Sequence, residues 1–469
     1  MGNAGRLSAF FIFTVLLLSF IQLNGFSFSS QEIVLGPYTQ NVTDNSITVV
    51  WETSAATTNN SVEYWENESH LFVKYSPSGY HHEVVITPTF SRGYYRVASD
   101  GVKSRAFEFE LASNCYNRGY FKTVIFGDSR GTWDNWVHAK EVSDAVNREH
   151  PDIVIHGGDM VGNGSSIEQW NRWLDISMPL LQNSTMFAVL GNHEHNNSRY
   201  YEIFSLPNNE RWYSFDYGPC HFIVLDNYGA WGAGSPQYRW LEDDLSSTDK
   251  PFKIVCFHEP IYCSGGHSSR ADIRAVWAPL FKKYGVDMVF QSHNHYYQRT
   301  EHINDITYIV TGGAGAPLYD PEDAWFVEKS MKAFHYCVLN VSLQDMEIRC
   351  TAKYTNGTSF DKFTLVHEMP GVEISKPESA LYLFNKEIMP LPSPVIIGRI
   401  DIEAAPAQNF DIKNAEFYID GEMKYSDSEE PYAWLWDERA LGSHEIMVKA
   451  YDSKGAGASD KMQVMIFHL

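Results

Sequence analysis

An α/β unit set between two β-sandwich units is the architecture this sequence predicts, on three observations. Residues 31–113 and residues 369–469 break into short alternating segments separated by turn residues, as antiparallel sandwiches do. Residues 114–368 instead alternate apolar runs with a helical pattern, which argues for an α/β sandwich. Aromatic residues make up 14% of the chain, with 27 Tyr and 28 Phe, and these side chains pack well on half-buried pleated sheets. At 469 residues the chain is too long for one ordinary core, so two to four domains are expected.

In the N-terminal segment, residues 1–30, Arg6 precedes an apolar run from Ala9 to Leu23, followed by small and polar residues at Asn24, Gly25 and Ser27 to Ser30. That order predicts a secretory signal or, if uncleaved, a single N-terminal membrane anchor. Either reading places the protein outside the cell, secreted or at the cell surface. N-x-S/T sequons at Asn41, Asn59, Asn67, Asn163, Asn183, Asn196, Asn340 and Asn356 fit a glycosylated surface protein. Strands are expected at Ser46 to Trp51, Leu71 to Tyr75, Glu83 to Thr87 and Tyr94 to Ala98.

The central unit opens with an apolar strand, Phe121 to Phe126, ending in Gly127-Asp128, and a helix from Asn135 to His150. Asp152 to His156 runs into Gly158-Asp159, and Met186 to Leu190 runs into Gly191-Asn192-His193. Lys253 to Phe257 runs into His258, and Asp287 to Phe290 into Ser292-His293-Asn294-His295. The polar residues fall just past the C-terminal ends of strands, where open α/β sheets place their sites. Pro370-Gly371 reads as a linker, and strands at Ala415 to Tyr418, Tyr432 to Leu435, His444 to Tyr451 and Lys461 to Phe467 build an Ig-like C-terminal sandwich.

Net charge of −22 without a long basic run repels polyanions, which excludes sequence-independent nucleic-acid binding. A small phosphorylated substrate would have to be held by local cations. The six cysteines contain no CxxC, so a structural zinc site is not expected. Cys337 and Cys350 flank a hairpin and are either a disulfide pair or buried thiols.

Five strand ends thus deliver Asp128, Asp159, Asn192, His258 and the pair His293 and His295. Carboxylates, imidazoles and an amide suit two metal ions about 4 Å apart, with one carboxylate bridging them against their mutual repulsion. A water between two such cations is acid enough to be hydroxide near neutral pH and to attack phosphorus.

In this order, Gly127-Asp128, Gly158-Asp159, Gly191-Asn192-His193-Glu194, Val255-x-x-His258 and Ser292-His293-x-His295 resemble the motifs of calcineurin-like metallophosphoesterases, above all purple acid phosphatases. Gly36-Pro37-Tyr38 and Thr48 to Trp51 resemble the opening of their fibronectin-III-like N-terminal domain. The likeness spans about residues 31–368. It implies a four-layer α/β/β/α sandwich and an exported phosphomonoesterase. It also implies that Asp159 bridges, that Asp128 and His295 hold the first metal, and that Asn192, His258 and His293 hold the second. His193, with His195 as an alternative, would bind phosphate or protonate the leaving alcohol. A phosphodiesterase or nucleotide hydrolase on the same site is the competing enzyme reading; a surface-binding protein that has lost hydrolysis is the non-enzyme one.

Two departures matter. The family's metal-binding Tyr, three residues after the bridging Asp, is Gly162 here, and the His two residues after the first Asp is Arg130. The first metal therefore lacks one protein ligand, for which Asn163 or water would substitute, and no purple colour is expected. Mn²⁺, Zn²⁺ or Fe²⁺ suits the remaining N/O donors better than iron(III). Arg130 would point its guanidinium at the substrate phosphate. His267, on the loop after the His258 strand, reads as a surface residue, with an approach to the pocket as the alternative, and the Gly312-Gly313-Ala314-Gly315 turn could bring backbone close to the site.

Overall fold

The computed structural model describes residues 32–67, 69–367, 371–407, 412–451 and 457–469. The expected signal or anchor and Pro370 of the expected linker lie outside these residues. Among the described residues no helix is long and apolar enough to cross a membrane.

Two sheets meet in the middle of the chain. In one, the parallel strands Tyr120–Phe126, Ile153–His156 and Thr185–Ala188 are extended by the antiparallel strands His335–Ser342, Glu347–Tyr354 and Ser359–Val366. In the other, the parallel strands Cys220–Val224, Phe252–Cys256, Met288–Gln291 and Thr307–Thr311 are flanked by Tyr213–Tyr217 on one side, and by Tyr297–Thr300 and Val327–Met331 on the other. Side-chain alternation explains the layering. Ile254 and Cys256 join the large core shared with Val124 and Phe126 of the first sheet. Val255 and Phe257 join a separate cluster with Leu241 and Leu245 of the helix Pro236–Ser247 and Trp277 and Phe281 of the helix Ala271–Lys283. The helices Val137–Arg148 and Ile167–Leu181 cover the first sheet with Val142, Val146, Trp170 and Trp173. A strand buried on both faces must be apolar throughout, which is why these segments read as continuous runs rather than as alternations.

The expected helix at Asn135 starts at Val137, because Asn135 and Trp136 take left-handed φ of 56° and 66°. The mixed α/β centre with two packed sheets agrees with the sequence expectation. Tyr213–Tyr217 and Cys220–Val224, an antiparallel hairpin, were not legible there. All six cysteines are buried free thiols. Cys337 and Cys350 sit diagonally on the hairpin, Cys337 opposite Ala352 and Cys350 opposite Leu339, so the disulfide alternative is not realised.

Residues before the central unit form a three-stranded sheet, Ile33–Gln40, Ile47–Thr57 and Gly79–Ile86. A five-stranded sheet faces it, with Asn60–Trp65 and Arg92–Ser99 at its centre. Trp51, Val62, Tyr95 and Val97 fill the space between and belong to the same apolar cluster as the central unit. After residue 371, three-stranded and seven-stranded sheets enclose a cluster of their own that includes Ile402, Phe417, Trp436 and Val448.

One ion pair ties the N-terminal three-stranded sheet to the helix Ser198–Ile203, which follows the loop that carries Asn192. Arg199 donates to both carboxylate oxygens of Glu52 at 2.9 and 3.2 Å, and His81 lies 3.3 Å away. Burial alone would raise the Glu52 carboxyl, but His81 and Arg199 outweigh it and hold it down to about 2. A depressed carboxyl stabilises the fold fully above its ordinary value and loses that contribution as pH falls through the folded value. Glu52→Ala is expected to cost about 2 kcal/mol at pH 7. In paired thermal melts, the wild-type advantage should shrink between about pH 4.5 and pH 2.

Candidate metal centre

Register brings the strand ends level. Phe126 pairs with His156 and His156 with Ala188, so the loops carrying Asp128, Asp159 and Asn192 leave one sheet at the same height. Cys256 pairs with Phe290 in the other sheet, which aligns the exits toward His258 and His293. Asp128, Asp159 and His293 then turn with φ of 62°, 58° and 67°, a left-handed conformation rare for residues with a Cβ and concentrated at functional sites.

Four of the expected ligands converge. His258 Nε2 lies 3.4 Å from Asp159 Oδ2 and 3.3 Å from His293 Nδ1, which is 3.1 Å from Asn192 Oδ1. Ligand atoms of Asp159, His258 and His293 all lie within 4.8 Å of one another. His258 donates from Nδ1 to the Gly157 carbonyl at 2.7 Å, which turns Nε2 toward the centre. Tyr228 donates its hydroxyl to Asn192 Oδ1 at 3.3 Å.

Asp128 and His295 form a neighbouring pair. Asp128 Oδ2 accepts from the His293 backbone N–H at 2.8 Å. Its Oδ1 is buried without a hydrogen-bond partner and lies 3.5 Å from His295 Nε2. His295 donates from Nδ1 to the Pro317 carbonyl at 2.7 Å, again leaving Nε2 for the centre, and Tyr319 stacks on its ring at 4.2 Å. An orphaned buried carboxylate oxygen and clustered imidazole nitrogens are the chemistry of a cation site, so the residues fit two metal ions.

The remaining candidates divide. His193 donates from Nδ1 to the Gly162 carbonyl at 2.8 Å and brings Nε2 to 3.7 Å from Asp159 Oδ2. His195 is exposed, its ring 6.4 Å from that of His193. Arg130 is inside the centre, its Nη2 3.4 Å from His295 Nε2 and its Nε 3.8 Å from Asp159 Oδ2. Asn163 is exposed and its Oδ1 accepts from Ser165 N–H and Oγ. That local turn takes it out of the running as the missing ligand. His267, though exposed, stacks on His293 at 4.3 Å.

The electrostatics follow from burial and proximity. Burial would raise Asp159, but His258 and His193 hold its carboxyl well below the usual range. Burial would lower His258, but Asp159 pushes it up to about 10. Burial first, then His258 and His267, push His293 down to about 2.

Sequence reasoning passed over Glu194, although it stands inside the Gly191-Asn192-His193-Glu194 block. Its side chain is fully buried and accepts from the backbone N–H groups of Asp159 (2.9 Å), Met160 (2.8 Å) and Gly191 (2.8 Å). One carboxylate thus clamps the Asp159 loop to the Asn192 loop. Gly191 permits the approach, since a Cβ there would sit 2.3 Å from Asp159 Oδ1. Glu194→Ala leaves three buried donors without a partner and is expected to cost about 3 kcal/mol or more. Denaturant melts read the loss, and a midpoint within experimental error of wild type would overturn the clamp.

Residues 121–297 match the calcineurin-like phosphoesterase family. A purple acid phosphatase of Glycine max is 26% identical over 314 residues, covering 59% of this chain and 67% of that protein. Fe(3+)-Zn(2+) purple acid phosphatase 12 of Arabidopsis thaliana is 25% identical over 316 residues, covering 59% and 66%. Among solved structures, a purple acid phosphatase from yellow lupin (Lupinus luteus) seeds superposes with a TM-score of 0.64 at 20% identity, covering 70% of this chain and 73% of that one. The chain spans 67% and 66% of the length of the two curated relatives. Two packed sheets, five motif blocks in order at their strand ends and these likenesses agree: residues 121–297 carry the calcineurin-like phosphoesterase domain, and purple acid phosphatases are among the proteins this chain is similar to.

Proposed function

We propose that this chain is an exported, metal-dependent phosphatase that hydrolyses small phosphate monoesters. The observation that carries the reading is the convergence of Asp159, His258 and His293 within 4.8 Å, beside the unpartnered Asp128 Oδ1. Asp159, Asn192, His258 and His293 would hold one metal ion, and Asp128, Asp159 and His295 the other. When bound, such a pair neutralises phosphoryl charge and acidifies the attacking water. The likeness to a relative named for Fe(3+) and Zn(2+) supports a two-metal centre, with Fe, Mn or Zn as the ions.

The chain's own groups do the rest. The Nδ1 proton of His193 is committed to the Gly162 carbonyl, so Nε2 is the atom that can pass a proton to the leaving oxygen. The guanidinium of Arg130 supplies a permanent cation for the extra charge that distinguishes a monoester from a diester. The units 31–113 and 369–469 are read as fibronectin-III-like and Ig-like sandwiches that position or attach the catalytic unit 114–368, and residues 1–30 as the export signal or anchor.

With Mn²⁺, Zn²⁺ or Fe²⁺ supplied, p-nitrophenyl phosphate should turn over faster than bis(p-nitrophenyl) phosphate. Asp159→Ala should lower the rate by about 10²- to 10³-fold or more. His193→Ala should cost about 10²-fold on an alkyl phosphate and less on p-nitrophenyl phosphate, whose leaving group needs no proton. Preference for the diester would sink the monoester assignment. Gly162 supplies no phenolate, so the iron-loaded protein is expected to show no strong visible charge-transfer band; a purple sample would refute this.

A further inference from the structure

The two halves of the centre are built unequally, and Arg130 makes the difference. The donors of Asn192, His293, His258 and Asp159, in that order around their position, stand 3.1, 3.3 and 3.4 Å apart. The neighbouring position, between Asp128 and His295 on one side and Asp159 on the other, already has a cation beside it. Arg130 Nη2 is 3.4 Å from His295 Nε2 and Arg130 Nε is 3.8 Å from Asp159 Oδ2, contacts to the atoms a metal there would need. The guanidinium is held loosely rather than by a bidentate fork: its Nε is buried without a hydrogen-bond partner, its Nη2 reaches His295 only at 3.4 Å, and the ion-pair distance to Asp159 is 3.8 Å.

We propose that the guanidinium of Arg130 competes with metal for the Asp128–His295 position, so that the two positions load in order: the Asn192–His258–His293 position first, and the Asp128–His295 position more weakly, after Arg130 swings away. The inference rests on the two-metal reading above. A guanidinium is charged at every accessible pH, so it opposes an incoming divalent cation by charge as well as by bulk. Once displaced it stays tethered at the pocket, where an oxyanion is the partner of matching shape.

Titrating the metal-free full chain with Mn²⁺, by calorimetry and by electron paramagnetic resonance, tests the order. The wild type should take up two ions in steps at least tenfold apart, about 1.4 kcal/mol. An isolated Mn²⁺ signal should come first, and a magnetically coupled pair only near saturation. His293→Ala should remove the tight step and Asp128→Ala the weak one. Arg130→Ala and Arg130→Gln, checked for folding by circular dichroism, should tighten the weak step about tenfold and leave the tight one in place. Two equal steps in the wild type, an unchanged or weakened step in both Arg130 variants, or loss of the tight step in Asp128→Ala would overturn the inference and leave the two-metal reading standing. Uptake of no more than one ion by the wild type and by both Arg130 variants would overturn the two-metal reading and the inference with it.

Discussion

Asp128, Asp159, Asn192, His258, His293 and His295 turn oxygen and nitrogen lone pairs into one shared space, and that crowding is the constraint the rest of the molecule answers. Asp128, Asp159, His258 and His295 are each at most 1% exposed. Groups stripped of water and facing like groups move apart unless the backbone beneath them is fixed. The fixing begins in the sheets, whose parallel strands end level, and continues into loops whose own amides are spoken for. Asp128 N–H donates to the Gly158 carbonyl and Arg130 N–H to the Asp159 carbonyl, so the first two loops brace each other. Ser292 N–H donates to the His258 carbonyl, bracing the two His loops in the same way. His193, His258 and His295 are aimed from behind, each donating from Nδ1 to a backbone carbonyl.

Strain at the turning residues is affordable only in such a frame. A left-handed φ at Asp128, Asp159 and His293 costs on the order of 1 kcal/mol or more each. The conformation is held by the hydrogen bonds of the loops themselves, the Asp128 N–H to the Gly158 carbonyl and the Arg130 N–H to the Asp159 carbonyl among them. The N-terminal sheets add to the frame from outside. Tyr38 donates its hydroxyl to the Ile203 carbonyl at 2.8 Å, and Arg199 is held by Glu52, so the segment following the Asn192 loop is gripped from both sides. The C-terminal sheets, among the described residues, pack around a core of their own.

Much of this was legible in the sequence because it rests on local pattern. An apolar run ending in Gly-Asp or Gly-Asn-His announces a strand buried on both faces with a polar exit, and order along the chain does the rest. The central strands and the six candidate ligand positions needed no knowledge of long-range contacts. What was not legible depends on which loops become neighbours. Glu194 looks like an ordinary acidic residue until its carboxylate is seen under the amides of Asp159, Met160 and Gly191, about thirty-five positions upstream in the first case. Tyr228 and Tyr319 come from segments with no periodic signal, and reach Asn192 and His295 only through the packing of the second sheet. His267 looked like a surface residue and is exposed, yet its ring lies against His293. The direction of Arg130 belongs to the same class: sequence gives its identity and its place after Asp128, but its lean toward Asp159 and His295 is a tertiary fact.

That lean also accounts for how two buried aspartates are shared out. Asp159 has three cationic or protonatable partners within 4 Å, namely Arg130 at 3.8 Å, His193 at 3.7 Å and His258 at 3.4 Å. Asp128 has the His293 amide on one oxygen and only His295, at 3.5 Å, near the other. A buried charge is tolerated when it is paired and costs most where it is not. The centre is therefore over-provided at the carboxylate between the two positions and under-provided at the one on its edge. A divalent cation gains most where charge is least compensated and ligands most numerous. Here those two criteria point to opposite sides of Asp159: the ligand-rich side is that of His258 and His293, and the charge-poor side is that of Asp128. Arg130 leans toward that second side, 3.4 Å from His295 and 3.8 Å from Asp159, so its fixed positive charge lies beside the position where a second cation would have to enter.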